Sequence, residues 1–123
     1  MQDDNELKNE DQQLMQIYEW VDSLNLSKPK KNISRDFSDG YLLAEIFKKI
    51  YPNLVDLHNY PESQNTTLKT QNWNTLKMKV LSKIGINISN KEIEEIVKCK
   101  AFAIEKLLAK IYNKIFEDSK IVE

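Results

Sequence analysis

The stretch Ile33 to Tyr51, ISRDFSDGYLLAEIFKKIY, constrains the fold of this chain more than any other, because it joins a turn, a helix start and the most apolar helical face. Leu42, Leu43, Ile46, Phe47 and Ile50 recur at helical spacing, so one side of the helix is almost wholly apolar. Its charges are confined to Glu45, Lys48 and Lys49, which makes it the expected central helix of a small core. Asp36, Ser38 and Asp39 offer side-chain oxygens to the free N–H groups of the nascent helix, with Asp36 or Ser38 the expected cap. Gly40 lets the backbone bend at the start, and Pro52 ends the helix by biasing Tyr51 away from helical geometry.

The rest of the chain repeats the three-to-four spacing and contains no strand-like alternation of useful length. With two glycines and three prolines in 123 residues, it reads as one all-α domain. Residues 1–10 are expected to be an acidic, flexible N-terminus or a frayed helical extension, 11–117 the domain, and 118–123 a tail. A first helix is expected over Asp11–Leu24, with Leu14, Ile17, Tyr18, Val21 and Leu24 in one stripe and Trp20 beside it. An irregular connection from Pro52 follows the central helix, pinned by Leu54, Val55, Leu57 and Tyr60. A third helix is expected over Thr67–Ile84, with Trp73, Leu76, Val80, Leu81 and Ile84 inward, Lys69, Lys77, Lys79 and Lys83 outward, and Gly85 as its stop. Ser89 or Asn90 should cap a short helix with Glu92 in its first turn, and a last helix should run from Ala101 to about Glu117. The expected core sets Leu42, Ile46 and Phe47 against Trp73, Leu107 and Ile111.

Chemistry is conspicuous by the residues that are missing. His58 is the only histidine and Cys99 the only cysteine, so neither a Cys/His metal cage nor a Cys–His pair has spare members. His58 is expected at the surface or core edge, and Cys99 as a small buried apolar residue. No phosphate-loop, dinucleotide or zinc-protease motif occurs, and Asp36 and Asp39 read as helix-capping groups rather than paired catalytic carboxylates. No enzyme activity, cofactor or metal is expected. One cysteine allows no internal disulfide, the Met1 end is unlike a signal peptide, and no apolar run approaches the ~20 residues of a membrane span. A reducing, cytosolic compartment and no membrane contact are the expectation.

Charge is the remaining signal. The formal net charge of −1 conceals an uneven distribution: Met1–Asp22 has seven acids against Lys8, whereas Ser23–Lys110 has fifteen basic residues against nine acids. The densest cluster is Lys28, Lys30, Lys31 and Arg35, where Pro29 should hold the chain extended and let the side chains splay outward. Like charges so close call for a polyanionic partner. Nucleic acid is disfavoured because no aromatic residues interleave with the lysines to stack bases.

The run PKKNISRDFSDGYLLAEIFKKIYPNLVDLHNY, followed by QNWNTLKMKVLSKIGI, resembles the calponin-homology-like domain of the sperm flagellar protein family, also called CLAMP. The likeness spans roughly Leu14 to Tyr112, and SRDFSDG (34–40), HNY (58–60) and NW (72–73) carry it most specifically. The resemblance implies four main helices with shorter connecting ones, and binding to tubulin in the microtubules of motile cilia and flagella, particularly the central apparatus of the axoneme. Other axonemal proteins are implied as further partners, and the chain as it stands is expected to be a monomer. The family's basic loop maps onto Lys28, Lys30, Lys31 and Arg35; on charge alone, Lys69, Lys77 and Lys79 are expected as outlying members of the same contact surface. An actin-binding or protein-adaptor domain of the calponin-homology type is the alternative.

Overall fold

Helical periodicity becomes six α-helices and no strand among the described residues of a computed structural model, which covers the backbone of residues 4–28 and 31–122 and the side chains of 11–28 and 31–116. In chain order they are α1 (Asp4–Ser23), α2 (Ile33–Asp36), α3 (Tyr41–Ile50), α4 (Thr66–Leu76), α5 (Asn90–Val97) and α6 (Ala103–Val122). Four are long and two short, and 3-10 turns at Pro52–Leu54 and Leu57–Asn59 complete the connections. The chain divides into two compact units, Met1–Asn25 with Glu105–Glu123, and Leu26–Ile104.

The first unit is made of α1 and most of α6. Both helices outrun their expected limits, α1 beginning at Asp4 instead of Asp11 and α6 ending at Val122 instead of Glu117. Neither extension contains glycine or proline, so nothing in the local sequence stops the helix. Ile17, Val21, Leu107, Leu108 and Ile111 are buried. The Tyr18 hydroxyl donates to Glu105 Oε2 at 3.1 Å, and burial, followed by that hydrogen bond and the nearby carboxylate charge, raises the Tyr18 pKa. Trp20 meets Tyr112 edge-on with ring centroids 5.4 Å apart.

The second unit is organised on α3. Leu42, Leu43, Ala44, Glu45, Ile46 and Phe47 are all buried, so the helix has an interior on most of its circumference, as its apolar face requires. Each of the six expected core residues, including Trp73 in this unit and Leu107 and Ile111 in the other, is no more than 2% exposed. Val55 and Tyr60 bury themselves under the connection after α3, while Leu54 and Leu57 are half-buried.

The helix expected over Thr67–Ile84 changes its winding. α4 ends at Leu76 and a π-helical turn takes over at Lys77–Leu81, with the Ser82 N–H donating to the Lys77 carbonyl at 3.0 Å. The wider turn keeps Leu76, Val80 and Leu81 fully buried. Gly85 follows with φ of +83°, the left-handed conformation that suits a helix stop. Ser89 and Glu92 form a reciprocal capping box at α5, each side chain accepting from the other's backbone N–H. Cys99 departs from expectation: it is half-buried, not buried, because it occupies a tight turn at φ of +62° between α5 and α6.

Candidate functional site

The basic loop is held at both of its described ends. At the front, the buried carboxylate of Glu45 accepts the Ser27 N–H through both oxygens, each at 3.1 Å. A charged acceptor on a backbone N–H is a strong tether, and it explains why an acid sits on the apolar α3. Lys28 pairs with Glu62, and that hydrogen bond raises its pKa. The pair is half-exposed, so it contributes little to stability. At the rear, Asp36 Oδ2 accepts the N–H groups of Lys31 and Asn32, at 2.9 and 3.0 Å, while Asn32 Oδ1 accepts from Arg35 N at the start of α2.

This geometry corrects the expected capping of α3. Asp36 spends one oxygen on two N–H groups of the loop that precedes it, and the Ser38 hydroxyl donates to the Arg35 carbonyl at 2.8 Å. The N-cap of α3 is Gly40, which has no side chain to contribute and sits at φ of +80°. Asp39 supplies the help expected of its neighbours: Oδ1 accepts from Tyr41 N and Oδ2 from Ser63 N, both at 3.0 Å. Glycine is required at position 40, since a Cβ there would lie 3.2 Å from Leu76 Cδ1 in a backbone conformation that L-residues avoid.

A second set of hydrogen bonds clamps the same turn to α4. Trp73 Nε1 donates to the Ser38 carbonyl at 2.8 Å, and Asn72 Nδ2 donates to the carbonyls of Asp39 and Pro61, also at 2.8 Å. The tracts SRDFSDG and NW are thus two halves of one joint, and Asn72 ties in the segment just after HNY. Glu62 was not singled out from sequence, and Glu45 and Asn72 were noted there, as a charge on the central helix and as part of the NW tract, without the tethering roles they have here. The available signal was an acid at an otherwise apolar helical position and an amide beside a core tryptophan.

The seven expected contact residues separate by environment. Lys31 and Arg35 are exposed, and their charged ends have no ion-pair partner among the described residues. Lys30 lies outside the described residues, as does Pro29. Lys69 is half-buried and donates from Nζ to Ser38 Oγ at 2.9 Å, so it belongs to the joint. Lys77 is also half-buried, with Asn90 Oδ1 at 3.5 Å, whereas Lys79 is exposed. The outward orientation expected for Lys69 and Lys77 is therefore only partly realised, because each finds a polar partner on its own unit. His58 is exposed, and no group of three His, Cys, Asp or Glu residues among those described could hold a metal ion.

Helices without strands among the described residues, a buried central helix and a polar joint fixing the turn ahead of it are the architecture of a calponin-homology-like domain. The chain belongs to the family of CH-like domains in sperm protein, whose pattern it matches over residues 17–113. It is 41% identical over 112 residues to sperm flagellar protein 1 of Xenopus laevis, which covers 91% of this chain and 49% of the frog protein. Identity to sperm flagellar protein 1 of Mus musculus is 37% and to that of Homo sapiens 36%, each over 108 residues, 88% of this chain and 46% of the relative. The chain spans about half the length of these curated relatives.

Proposed function

We propose that this chain is a microtubule-binding module of the CLAMP type, acting in motile cilia or flagella, where it stabilises axonemal microtubules of the central apparatus. Its partner surface is the acidic face of tubulin, and the contact is made by the loop from Lys28 to Arg35. One observation carries the reading: Lys31 and Arg35 are exposed cations with no ion-pair partner among the described residues, on a loop fastened at both described ends by Glu45 and Asp36. The tethers at Ser27 and at Lys31 and Asn32 leave these positions less conformational freedom to lose on docking, so the charges of Lys31 and Arg35 act with less entropic cost than those of a loose segment. The names of the relatives supply the flagellar context.

The test is co-pelleting with stabilised microtubules and, in parallel, with actin filaments. The wild-type chain should pellet with microtubules in a strongly salt-dependent manner, and the Lys31→Glu, Arg35→Glu protein should remain in the supernatant with an unchanged helical spectrum. Equal pelleting of variant and wild type at moderate salt would transfer the function to the adaptor class, and pelleting with actin alone to the actin-binding class.

A further inference from the structure

A cleft of about 360 Å³ opens beside the connection that follows α3, at the small end of the ~300–1,000 Å³ typical of ligand sites. One wall is the pair of 3-10 turns, carrying Asn53, Val55, Asn59 and Tyr60; the other carries Lys79 and Lys83 from the π-helical turn and the residues just after it. Val80 and Leu81 are fully buried, which anchors the backbone from which the two lysines extend. Both lysines are exposed and lack an ion-pair partner among the described residues.

The opposing wall is tied to α3 through Lys48, which does not itself line the cleft. Lys48 Nζ donates to the carbonyls of Pro52 and Val55, at 3.2 and 3.0 Å, fixing the first 3-10 turn and placing a third ammonium group against it. Asp56 is the one acid lining the cleft, and its Oδ1 is already accepting the His58 N–H at 3.1 Å. The lining is therefore cationic on balance, with carboxamides and an apolar component from Leu54, Val55 and Tyr60.

We infer that this cleft receives a short acidic peptide segment, rich in glutamate, from a protein partner. The chemistry matches group by group. Lysines complement carboxylates, the asparagine amides offer both donors and acceptors to a peptide backbone, and the apolar lining suits the methylene stems of glutamate. A bare phosphate would use the lysines and the asparagine N–H donors but neither the asparagine carbonyl acceptors nor the apolar surface. The cleft shares no residue with the Lys28–Arg35 loop, so either can fail without the other.

The test is fluorescence anisotropy of a labelled hexaglutamate peptide, with hexaglutamine as control, and backbone-amide chemical shifts recorded during the titration. Hexaglutamate should bind saturably, hexaglutamine should not, and the shifts should concentrate on Asn53–Tyr60 and Lys79–Lys83. Lys79→Gln with Lys83→Gln should weaken binding by about tenfold or more with the melting temperature retained. Wild-type affinity in the glutamine variant, shifts confined to residues 27–36, or equal displacement of the peptide by inorganic phosphate would each overturn the assignment.

Discussion

The indole N–H of Trp73 donates to the carbonyl of Ser38 at 2.8 Å, and both residues are almost wholly removed from solvent. An aromatic side chain on α4 thereby fixes the backbone two residues before the left-handed start of α3. Trp73→Phe keeps most of the apolar volume but leaves a buried acceptor without this donor, which should cost ~1–3 kcal/mol. The check is a lower urea midpoint with an unchanged slope.

Gly40→Ala should be destabilising for two separate reasons. Its φ of +80° is strained for any L-residue, and the new methyl would press on Leu76 Cδ1. Gly85 has nearly the same φ, +83°, but is exposed. Gly85→Ala should therefore show the backbone cost alone, ~1–2 kcal/mol, and Gly40→Ala a larger loss. Equal losses in thermal or urea unfolding would mean that the close approach to α4 costs nothing.

The helices and their inward faces were legible in the sequence because spacing records which side must be buried. Leu42, Ile46, Phe47 and Trp73 needed nothing more than periodicity. The joint was legible only as a set of suggestive residues, since Asp36, Ser38 and Asp39 are all good capping types and spacing does not say which N–H each will meet. The path of the turn decided it: Tyr41 and the distant Ser63 engage Asp39, while Lys31 and Asn32 engage Asp36. Lysines were the least legible, because Lys69 and Lys31 look alike in sequence and differ only in what lies within reach of the ammonium group.

Asp36→Ala should act on the loop before α2 and not on α3. Removing its carboxylate frees the N–H groups of Lys31 and Asn32, so their hydrogen exchange should accelerate while that of Ala44, bonded to Gly40, does not. The expected stability loss is ~0.5–2 kcal/mol, as for loss of a capping carboxylate. Faster exchange throughout the first turn of α3 would return Asp36 to the role that the sequence suggested.

Tyr60 gives a pH dependence of definite sign. Burial raises the pKa of its phenol, whose hydroxyl has no hydrogen-bond partner among the described residues. The folded state then retains a proton that the unfolded state releases, so this contribution to stability is complete below the ordinary tyrosine value of ~10 and is lost as pH rises through the folded value. Tyr60→Phe should flatten the alkaline fall in stability and be neutral or stabilising at neutral pH, because it removes an unsatisfied buried hydroxyl. Urea midpoints for both proteins on either side of the tyrosine range supply the comparison.

The two kinds of lysine should separate stability from binding. Lys69 sends its ammonium to Ser38 Oγ inside the joint, and Lys31 presents its own to solvent. Lys69→Met should lower unfolding free energy by ~1 kcal/mol through loss of that hydrogen bond, while binding per folded molecule stays at the wild-type level. Lys31→Glu should do the reverse, leaving the urea midpoint in place and depressing microtubule co-pelleting, because an exposed charge contributes little to folding and much to encounter with an acidic surface. The comparison must be made at matched salt, since screening alone weakens a contact between exposed charges. If Lys69→Met lost binding without losing stability, its ammonium would have to leave Ser38 and join the contact surface, and the division of labour drawn from the joint would be wrong.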